Sequence, residues 1–401
     1  MRDQPGTDVD GDGRMQHYGL YGRDQRIVTI GGGTGPFALL SSLKQFPCSI
    51  TAVVSMSDSG GSSGRLMDEF GQLPFGDLRQ ALVALSRKAS LWRDMFAFRF
   101  PPGHGYGGLR DTLASRRDIL AGEGESASDP QQEHAARRRE VSGHNLGNLI
   151  LSALENLNDG DLLDALDDAQ ALLETAGKVL PVTLERATLR AQLTNGEVLC
   201  GESIIDTRGQ HDDRPLPAIQ RLSLQEDVAA CEQALHAIRR ADVIVIGPGD
   251  LYTSILPNLL VRGVAEAIRE SEAETVYVGN LMTKRGETDG FRASDFVREV
   301  HRYLGGPVDR VILHDGTFPS HLREHYAAQQ QYPVEADVEA VRDLVSEVIV
   351  GRFLKLQGGY LIRHDAGCLT RAIFAPAERE PDDLGISMAL GPNLVPETAT
   401  G

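Results

Sequence analysis

The stretch that decides the fold runs from residue 26 to residue 36 and reads RIVTIGGGTGP. Residues 27–30 form a short, continuous apolar run, which predicts a strand buried inside a sheet. Glycines follow at once in the segment 31–35, and Pro36 suits the first turn of a helix. A second apolar run, residues 50–56, completes a strand–loop–helix–strand unit, which predicts two parallel strands.

The same design returns later in the chain. Apolar runs at 243–246, 276–278 and 308–313 predict further strands, and the first of them ends in another glycine turn at 247–249. The segment 189–200 is typical of a hairpin that turns at an Asn-Gly pair. The fold class predicted from this alternation is α/β, a Rossmann-like doubly wound, mostly parallel sheet with helical and hairpin insertions.

Composition along the chain predicts one domain with tails. Residues 1–25 are polar and glycine-rich and are expected to be a disordered tail, while 26–375 form a single nucleotide-binding domain. The segment at about 115–140 loses its apolar periodicity and is expected to be a flexible surface insertion. Residues 376–401 are expected to be a C-terminal tail.

Overall charge narrows the range of partners. The chain has 40 Lys plus Arg against 57 Asp plus Glu, a net charge of -17. This balance argues against nucleic acid or an anionic membrane as the main partner, but backbone amides still bind phosphate groups. Four scattered cysteines, with no signal-peptide pattern and no long apolar run, favour a cytoplasmic protein without a membrane span.

Glycine-rich loops are the predicted binding elements. In an open parallel sheet, ligands bind beyond the carboxyl ends of the strands. We therefore expect the loops at 31–35, 60–64, 143–147 and 247–249 to converge on one crevice. Glycine allows backbone amides to approach an oxyanion, and a helix N-terminus adds its dipole.

The first loop does not match the common nucleotide motifs. Pro36 occupies the place of the third glycine in the dinucleotide pattern GxGxxG, which counts against a redox protein that binds a dinucleotide. The loop also lacks the GK[ST] ending of a P-loop, which argues against phosphate cleavage of that type. A tight strand-to-helix turn without a ligand stays open as an alternative.

The candidate ligand-binding residues come from these loops and from the helix starts that follow them. They are Gly32, Gly33, Thr34, Ser62, Ser63, Asp77, His144, Asn145, Asn148, Gly247, Gly249, Leu251, Tyr252, Thr253 and Asn280. Asp58 follows a strand, where a carboxylate binds a metal ion or a ribose, or caps a turn. Asp77 is also placed to cap a helix, His144 is alternatively a core or capping histidine, and Tyr252 either stacks on a ring of the ligand or packs in the core.

Six segments in order resemble the gluconeogenesis-factor family, within the 2-phospho-L-lactate transferase superfamily. They are GGGTG at 31–35, DSGGSSGRL at 58–66, FGDLRQALVALS at 75–86, GHNLGNL at 143–149, GPGDLYTSILPNLLV at 247–261 and NLMTKRGETDGF at 280–291. The resemblance covers about residues 26 to 374. It implies a Rossmann-like core whose pocket holds a nucleotide or a UDP-sugar.

Two functions are implied by this resemblance. Gluconeogenesis factors bind UDP-N-acetylglucosamine and support cell-wall precursor metabolism, cell shape and growth on gluconeogenic carbon sources. In the transferase branch, the pocket takes a guanine nucleotide-linked phospholactate and an acceptor with a divalent metal such as Mg²⁺. Asp58 resembles the acidic position that contacts the acceptor there, and Tyr252 resembles a tyrosine of the nucleotide-sugar pocket.

Three positions depart from the family pattern, and the first of them counts against transferase activity. Relatives commonly have two adjacent acids where this chain has Asp58 and Ser59, so a metal site with paired carboxylates is not expected. Asp250 stands where the family often has serine, and Arg285 replaces a proline. The expected ligand is thus a nucleotide or nucleotide-sugar whose base and sugar are undetermined. A homodimer is one possible oligomeric state of the chain.

Overall fold

The computed structural model describes residues 24–57, 72–88, 90–100, 144–210 and 214–375. The strands in these ranges are β1 (Arg26–Gly31), β2 (Ser49–Val54), β3 (Lys178–Pro181), β4 (Leu189–Leu193), β5 (Val198–Cys200), β6 (Ile219–Leu224), β7 (Val243–Ile246), β8 (Glu274–Val278), β9 (Arg310–His314), β10 (Glu347–Gly351), β11 (Leu354–Gln357) and β12 (Leu361–His364). The α-helices are α1 (Gly35–Leu43), α2 (Gly76–Leu85), α3 (Ser90–Ala97), α4 (Leu146–Leu157), α5 (Leu162–Leu173), α6 (Glu202–Thr207), α7 (Glu232–Arg239), α8 (Leu256–Leu259), α9 (Val264–Glu270), α10 (Ala293–Leu304), α11 (Ser320–Ala327), α12 (Val338–Arg342) and α13 (Ala366–Ile373). None of these helices is long and apolar enough to cross a lipid bilayer.

The main sheet has seven strands in the order β10-β9-β8-β7-β1-β2-β3, and every neighbouring pair is parallel. The chain starts in the middle at β1, winds outward to β3, returns to β7 on the other side of β1 and winds outward again to β10. This doubly wound order confirms the predicted fold class. The antiparallel sheet β5-β4-β6 and the hairpin β11–β12 are inserted around it, and the predicted hairpin turns at Asn195 and Gly196, where Gly196 has φ 89°.

The centre of the sheet is the most deeply buried part of the fold. All four residues of β7, the sequence VIVI, are buried, and five of the six residues of β1 are buried as well. Continuous apolar runs of this kind are typical of parallel strands that are covered by helices on both faces. The two strands that carry the glycine loops are therefore also the strands that are fixed most firmly.

The register of β1 and β7 brings their glycine loops to the same height. Ile30 lies opposite Ile246, and the backbone amide of Gly247 donates a hydrogen bond to the Ile30 carbonyl at 3.0 Å. Just beyond the strands, Gly35 approaches the other loop so closely that a Cβ atom on it would lie 2.2 Å from the carbonyl oxygen of Pro248. The two loops are in backbone contact, which requires glycine at position 35.

Replacing Gly35 with alanine should separate the two loops and destabilise the fold. The new methyl group would meet rigid backbone, so we expect a loss of about 1–3 kcal/mol or more in the free energy of unfolding, measured by urea denaturation. Gly367→Ala is the matched control, because its Cβ would have no neighbour closer than 3.5 Å and it lies in helix α13. If both variants unfold at the same urea concentration, the backbone contact is not a constraint.

Candidate ligand-binding site

A cleft of about 300 Å³ opens at the carboxyl ends of β1 and β7. The chain leaves β1 toward one edge of the sheet and β7 toward the other, so the cleft lies at the topological switch point, where doubly wound proteins bind ligands. It is lined by Gly32, Gly33, Thr34, Gly35, Ala38, Pro248, Gly249, Asp250, Ser254, Asn280, Leu281, Met282, Thr283, Lys284, Tyr326, Gln331, Ile362, Arg363 and His364.

One wall of the cleft is made of backbone. Gly33 has φ 68°, a conformation that favours glycine, and a Cβ there would lie 3.0 Å from the hydroxyl oxygen of Ser254. Helix α1 begins at Gly35 with no acidic side chain in its first turn. Its N-terminal amides and dipole therefore face the cleft without a competing carboxylate of the helix, an arrangement that suits a phosphate group.

Asn280 fixes the second glycine loop against this wall. Its side-chain nitrogen donates to the Gly249 carbonyl at 2.8 Å, and its side-chain oxygen accepts from the hydroxyl of Tyr277 at 3.0 Å. Tyr277 is completely buried at the end of β8. Asn280 thus ties the loop after β7 to the neighbouring strand, and the loop is held in place before any ligand binds.

The opposite wall is a separate small structure, which we call the flap: helix α11 and the hairpin β11–β12. A small apolar cluster joins the flap to the loop after β8: Leu322 and Ile362 of the flap are buried together with Leu281 of that loop. The hydroxyl of Tyr326 accepts a hydrogen bond from the Ile362 amide at 3.1 Å, which joins the helix to the hairpin. The flap contributes Tyr326 and residues 362–364 to the cleft, and Gln331, which follows α11 in the chain, also lines it.

Arg363 is the cation that the flap presents to the cleft. Its guanidinium donates to the carbonyl oxygen of Ile362 at 2.9 Å, and no carboxylate of the described residues pairs with it. Arginine has five donors in a planar fork that fits phosphate oxygens. Arg363 is therefore available for an anion that lies on the glycine loops.

His364 anchors the end of the flap to the main sheet. Its Nε2 atom lies 3.1 Å from the Gly279 carbonyl oxygen, just beyond β8. Burial lowers the pKa of the His364 imidazole to about 4, so the ring is neutral at pH 7. Because a carbonyl accepts only, Nε2 carries the proton and donates it, and His364 positions the adjacent Arg363 without adding a charge.

The edge of the cleft holds a cluster of charges around Lys284. Its ammonium nitrogen lies 2.8 Å from both Asp250 Oδ2 and Glu287 Oε1, and it also donates to the carboxylate of Asp206. Burial opposes the charge of Lys284, but the three carboxylates outweigh burial and raise its pKa. The cluster joins the loop after β7, the loop after β8 and helix α6 of the inserted sheet.

Glu287 is the buried member of this cluster. Although Lys284 Nζ is close to it, the geometry leaves both carboxylate oxygens of Glu287 without a hydrogen bond from the described chain. Burial raises the pKa of Glu287 to about 8, against the opposing field of Lys284. Glu287 therefore holds a proton more tightly in the folded protein than an exposed glutamate does.

The stability of the protein should consequently depend on the ionisation of Glu287. Between its ordinary pKa of 4.5 and the raised value of about 8, the folded state binds a proton that the unfolded state releases. The contribution of Glu287 to the free energy of unfolding therefore falls as the pH rises from 4.5 to about 8. Urea unfolding at pH 5, 7 and 8.5 should show Glu287→Gln gaining stability relative to the wild type as the pH rises, and a constant difference would refute the assignment.

The structure brings together part of the candidate set predicted from sequence. Gly32, Gly33, Thr34, Gly249 and Asn280 all line the cleft. Gly247 lies directly behind them with φ 85°, where it starts the turn. Asp58, Ser62 and Ser63 lie outside the described residues, so the Mg²⁺ and acceptor roles expected of Asp58 remain predictions.

Three candidates after the second glycine loop are buried in the protein. Residues Leu251–Ile255 form a single π-helical turn, in which Leu251 and Thr253 are buried. The Tyr252 side chain is only 2% exposed and packs in the core, which is the second of the two placements expected for it. The ring packs edge-on against Phe291, and the hydroxyl donates to Glu299 at 3.2 Å.

Asp77 lies beside the first glycine loop. The prediction that it caps a helix is wrong, since α2 begins one residue earlier, at Gly76, and has no side-chain cap. The carboxylate instead sits in the first turn, and a Cβ on Gly32 would lie 2.5 Å from Asp77 Oδ2. Asp77 therefore packs behind the loop that lines the cleft.

The segment around His144 is buried next to α2 and α3. Asn145 caps α4 by accepting from the Asn148 amide at 3.2 Å, and it donates to the Ala97 carbonyl. Asn148 accepts from the side chain of Arg79 at 3.0 Å. His144, Asn145 and Asn148 are buried and are not among the described residues that line the cleft, so their contacts with a ligand remain predictions.

The sequence did not single out several residues that the cleft contains. Ser254 lies in the π-helical turn that begins after Asp250. Lys284 lies in the segment 280–291, in which only the resemblance to the family indicates a role. Tyr326 and Arg363 come from the C-terminal third, where the sequence pattern is mixed and contains no predicted glycine loop. Within the described ranges, no group of three His, Cys, Asp or Glu side chains is arranged to hold a metal ion.

Comparison with known proteins identifies relatives over most of the chain. A family model described as 2-phospho-L-lactate transferase CofD matches residues 27–354. The gluconeogenesis factor of Halalkalibacterium halodurans is 36% identical over 88% of this chain and 96% of its own length, and that of Bacillus subtilis is 35% identical over 86% and 95%. A crystal structure of a Bacillus halodurans protein, 36% identical, superposes with a TM-score of 0.75 over 88% of this chain and 100% of that one.

Proposed function

Because this chain belongs to the 2-phospho-L-lactate transferase CofD family, we propose that its cleft binds a nucleotide-sugar and that the protein acts as a gluconeogenesis factor. The proposed ligand is UDP-N-acetylglucosamine. In this role the protein links the level of that ligand to cell-wall precursor and carbon metabolism. Relatives named gluconeogenesis factor, which are about 35% identical over most of their length, support the regulatory role.

The observation that carries the proposal is the pairing of a backbone anion site with a single facing arginine. The wall at Gly33, Gly35 and Gly249 offers amides and a helix N-terminus, while Arg363 faces it from the flap. Two phosphate groups in a row suit this arrangement, since one wall binds through dipoles and the other through a charged fork. In a protein with a net charge of -17, Arg363 lines this cleft without a carboxylate partner among the residues that the structure describes.

The remaining cleft residues suit the uncharged parts of such a ligand. Tyr326 provides an aromatic side chain, and Leu281, Met282 and Ile362 provide apolar surface. Asn280 and Thr283 add polar groups to the lining. A pocket with apolar walls and a few fixed polar groups is typical of small-molecule sites, and about 300 Å³ lies at the lower end of their range.

A transferase is the second candidate, because the matching family model bears that name. In this function the same cleft would hold a guanine nucleotide-linked donor, and Asp58 with Mg²⁺ would serve the reaction. Calorimetry separates the two candidates. Saturable binding of UDP-N-acetylglucosamine without turnover supports the regulator, whereas heat only with guanine nucleotides and Mg²⁺, lost in Asp58→Asn, supports the transferase.

Replacing Arg363 with methionine should weaken binding of UDP-N-acetylglucosamine. Methionine keeps an unbranched apolar chain but removes the charged donors, so we expect Kd to rise about tenfold or more, the loss of hydrogen bonds to a charged group. Isothermal titration calorimetry measures the change. Arg323→Met is the control, because Arg323 is exposed on the same helix α11 as Tyr326 and does not line the cleft.

Two results would count against this assignment. If the wild type binds no UDP derivative, the proposed function is wrong. If the wild type binds UDP-N-acetylglucosamine and Arg363→Met binds it equally well, the diphosphate does not lie against the flap.

A further inference from the structure

Asp250 is a carboxylate placed directly beside the proposed phosphate site. It follows Gly249, lines the cleft, and its side chain is 47% exposed. Its backbone carbonyl accepts hydrogen bonds from the Ser254 and Ile255 amides at 2.9 and 3.0 Å, whereas its side chain caps neither. The carboxylate is therefore not explained by the local turn.

Lys284 holds this carboxylate in one orientation. Its ammonium group lies 2.8 Å from Asp250 Oδ2 and is itself held by Asp206 and Glu287. The second oxygen, Oδ1, forms no hydrogen bond with any residue that the structure describes. Asp250 thus presents an oriented, negatively charged acceptor at the wall of the cleft.

The negative charge of the Asp250 carboxylate determines which group of a ligand is favoured next to it. Two like charges about 4 Å apart repel by about 1 kcal/mol even in water and by more near a protein surface, so a phosphate group is disfavoured next to Asp250. A hydroxyl group is favoured, because an O–H donor to a carboxylate forms a short, strong hydrogen bond. In dinucleotide-binding folds of the same topology, an acidic side chain binds ribose hydroxyls beside the phosphate loop.

We propose that Asp250 determines ligand specificity by accepting a hydrogen bond from a sugar hydroxyl, and that Lys284 is its positioning residue. The inference rests on the proposed function, since it concerns the same cleft. The hydroxyl belongs either to the ribose or to the second sugar of the nucleotide-sugar. The side chain excludes phosphate from its own position, and so it also fixes which way along the cleft the ligand lies.

Calorimetry with a series of related probes tests the proposal. The probes are UDP-N-acetylglucosamine, UDP, 2′-deoxy-UDP, 3′-deoxy-UDP and inorganic pyrophosphate. If Asp250 binds the ribose, the wild type should prefer UDP over one of the deoxy forms by about tenfold or more, and Asp250→Ser should reduce that ratio to near one. If Asp250 binds the second sugar, the ratio between UDP-N-acetylglucosamine and UDP should collapse instead.

Pyrophosphate distinguishes specificity from damage to the fold. Asp250→Ser removes a negative charge near the phosphate site, so pyrophosphate should bind as well as before or more tightly. A damaged cleft would lose pyrophosphate and sugar ligands together. Weaker pyrophosphate binding in Asp250→Ser would therefore overturn the proposal, as would unchanged sugar ratios.

The role of Lys284 has its own test. Lys284→Met should reduce the same ratio of affinities toward one, as Asp250→Ser does. Lys284→Arg should keep the ratio of the wild type, because arginine still pairs with the carboxylate. Lys178→Met is the matched control: it removes an exposed lysine of β3 that does not line the cleft, so the ratio should be kept. A reduced ratio in Lys178→Met, or no rescue by arginine, would contradict the assignment.

These experiments also separate this inference from the function on which it rests. If no UDP derivative binds to the wild type, the proposed function fails. If the wild type binds them and Asp250→Ser keeps every ratio, only the role of Asp250 fails.

Discussion

The contact between two glycine loops is the constraint on which the rest of the structure depends. Gly35 and Pro248 meet backbone to backbone where β1 and β7 end, and the parallel register of these strands brings them to the same height. Since both strands are buried at the centre of the sheet, the loops have little freedom to move apart. The N-terminus of α1 and the amides of both loops are thereby aimed at one space, and a polyanion is the ligand that such a space suits.

Charge around the cleft is arranged in two different ways. Arg363 faces the loops without a carboxylate partner in the described chain, whereas Lys284 is saturated by Asp206, Asp250 and Glu287. The first cation is free to bind an anion, and the second orients protein carboxylates. Lys284 also connects the inserted three-stranded sheet, through α6, to the edge of the cleft, so Asp250 and the insertion are physically linked.

Much of the fold could be predicted from the sequence because its signals are local. Apolar runs such as 27–30 and 243–246 each ended in glycine, and a parallel sheet must place such ends at one edge. Loop contacts at Gly33 and Gly249 followed from that topology. The direction of the Tyr252 side chain could not be predicted in this way. A π-helical turn rotates side chains differently from the α-helix that was expected there.

Local sequence patterns could not predict contacts between segments that are distant in the chain. Asp206 and Lys284 are separated by 78 positions, and nothing in either neighbourhood marks them as partners. Arg363 lies on a hairpin strand with no glycine loop, in a region whose pattern was mixed, so its place in the cleft emerged only from the fold. A crystal structure with UDP-N-acetylglucosamine tests the proposed ligand position most directly. We expect the diphosphate to lie within hydrogen-bonding distance of the backbone amides of the loops at 33–35 and 249. A nucleotide bound in any other groove of the molecule would contradict this placement.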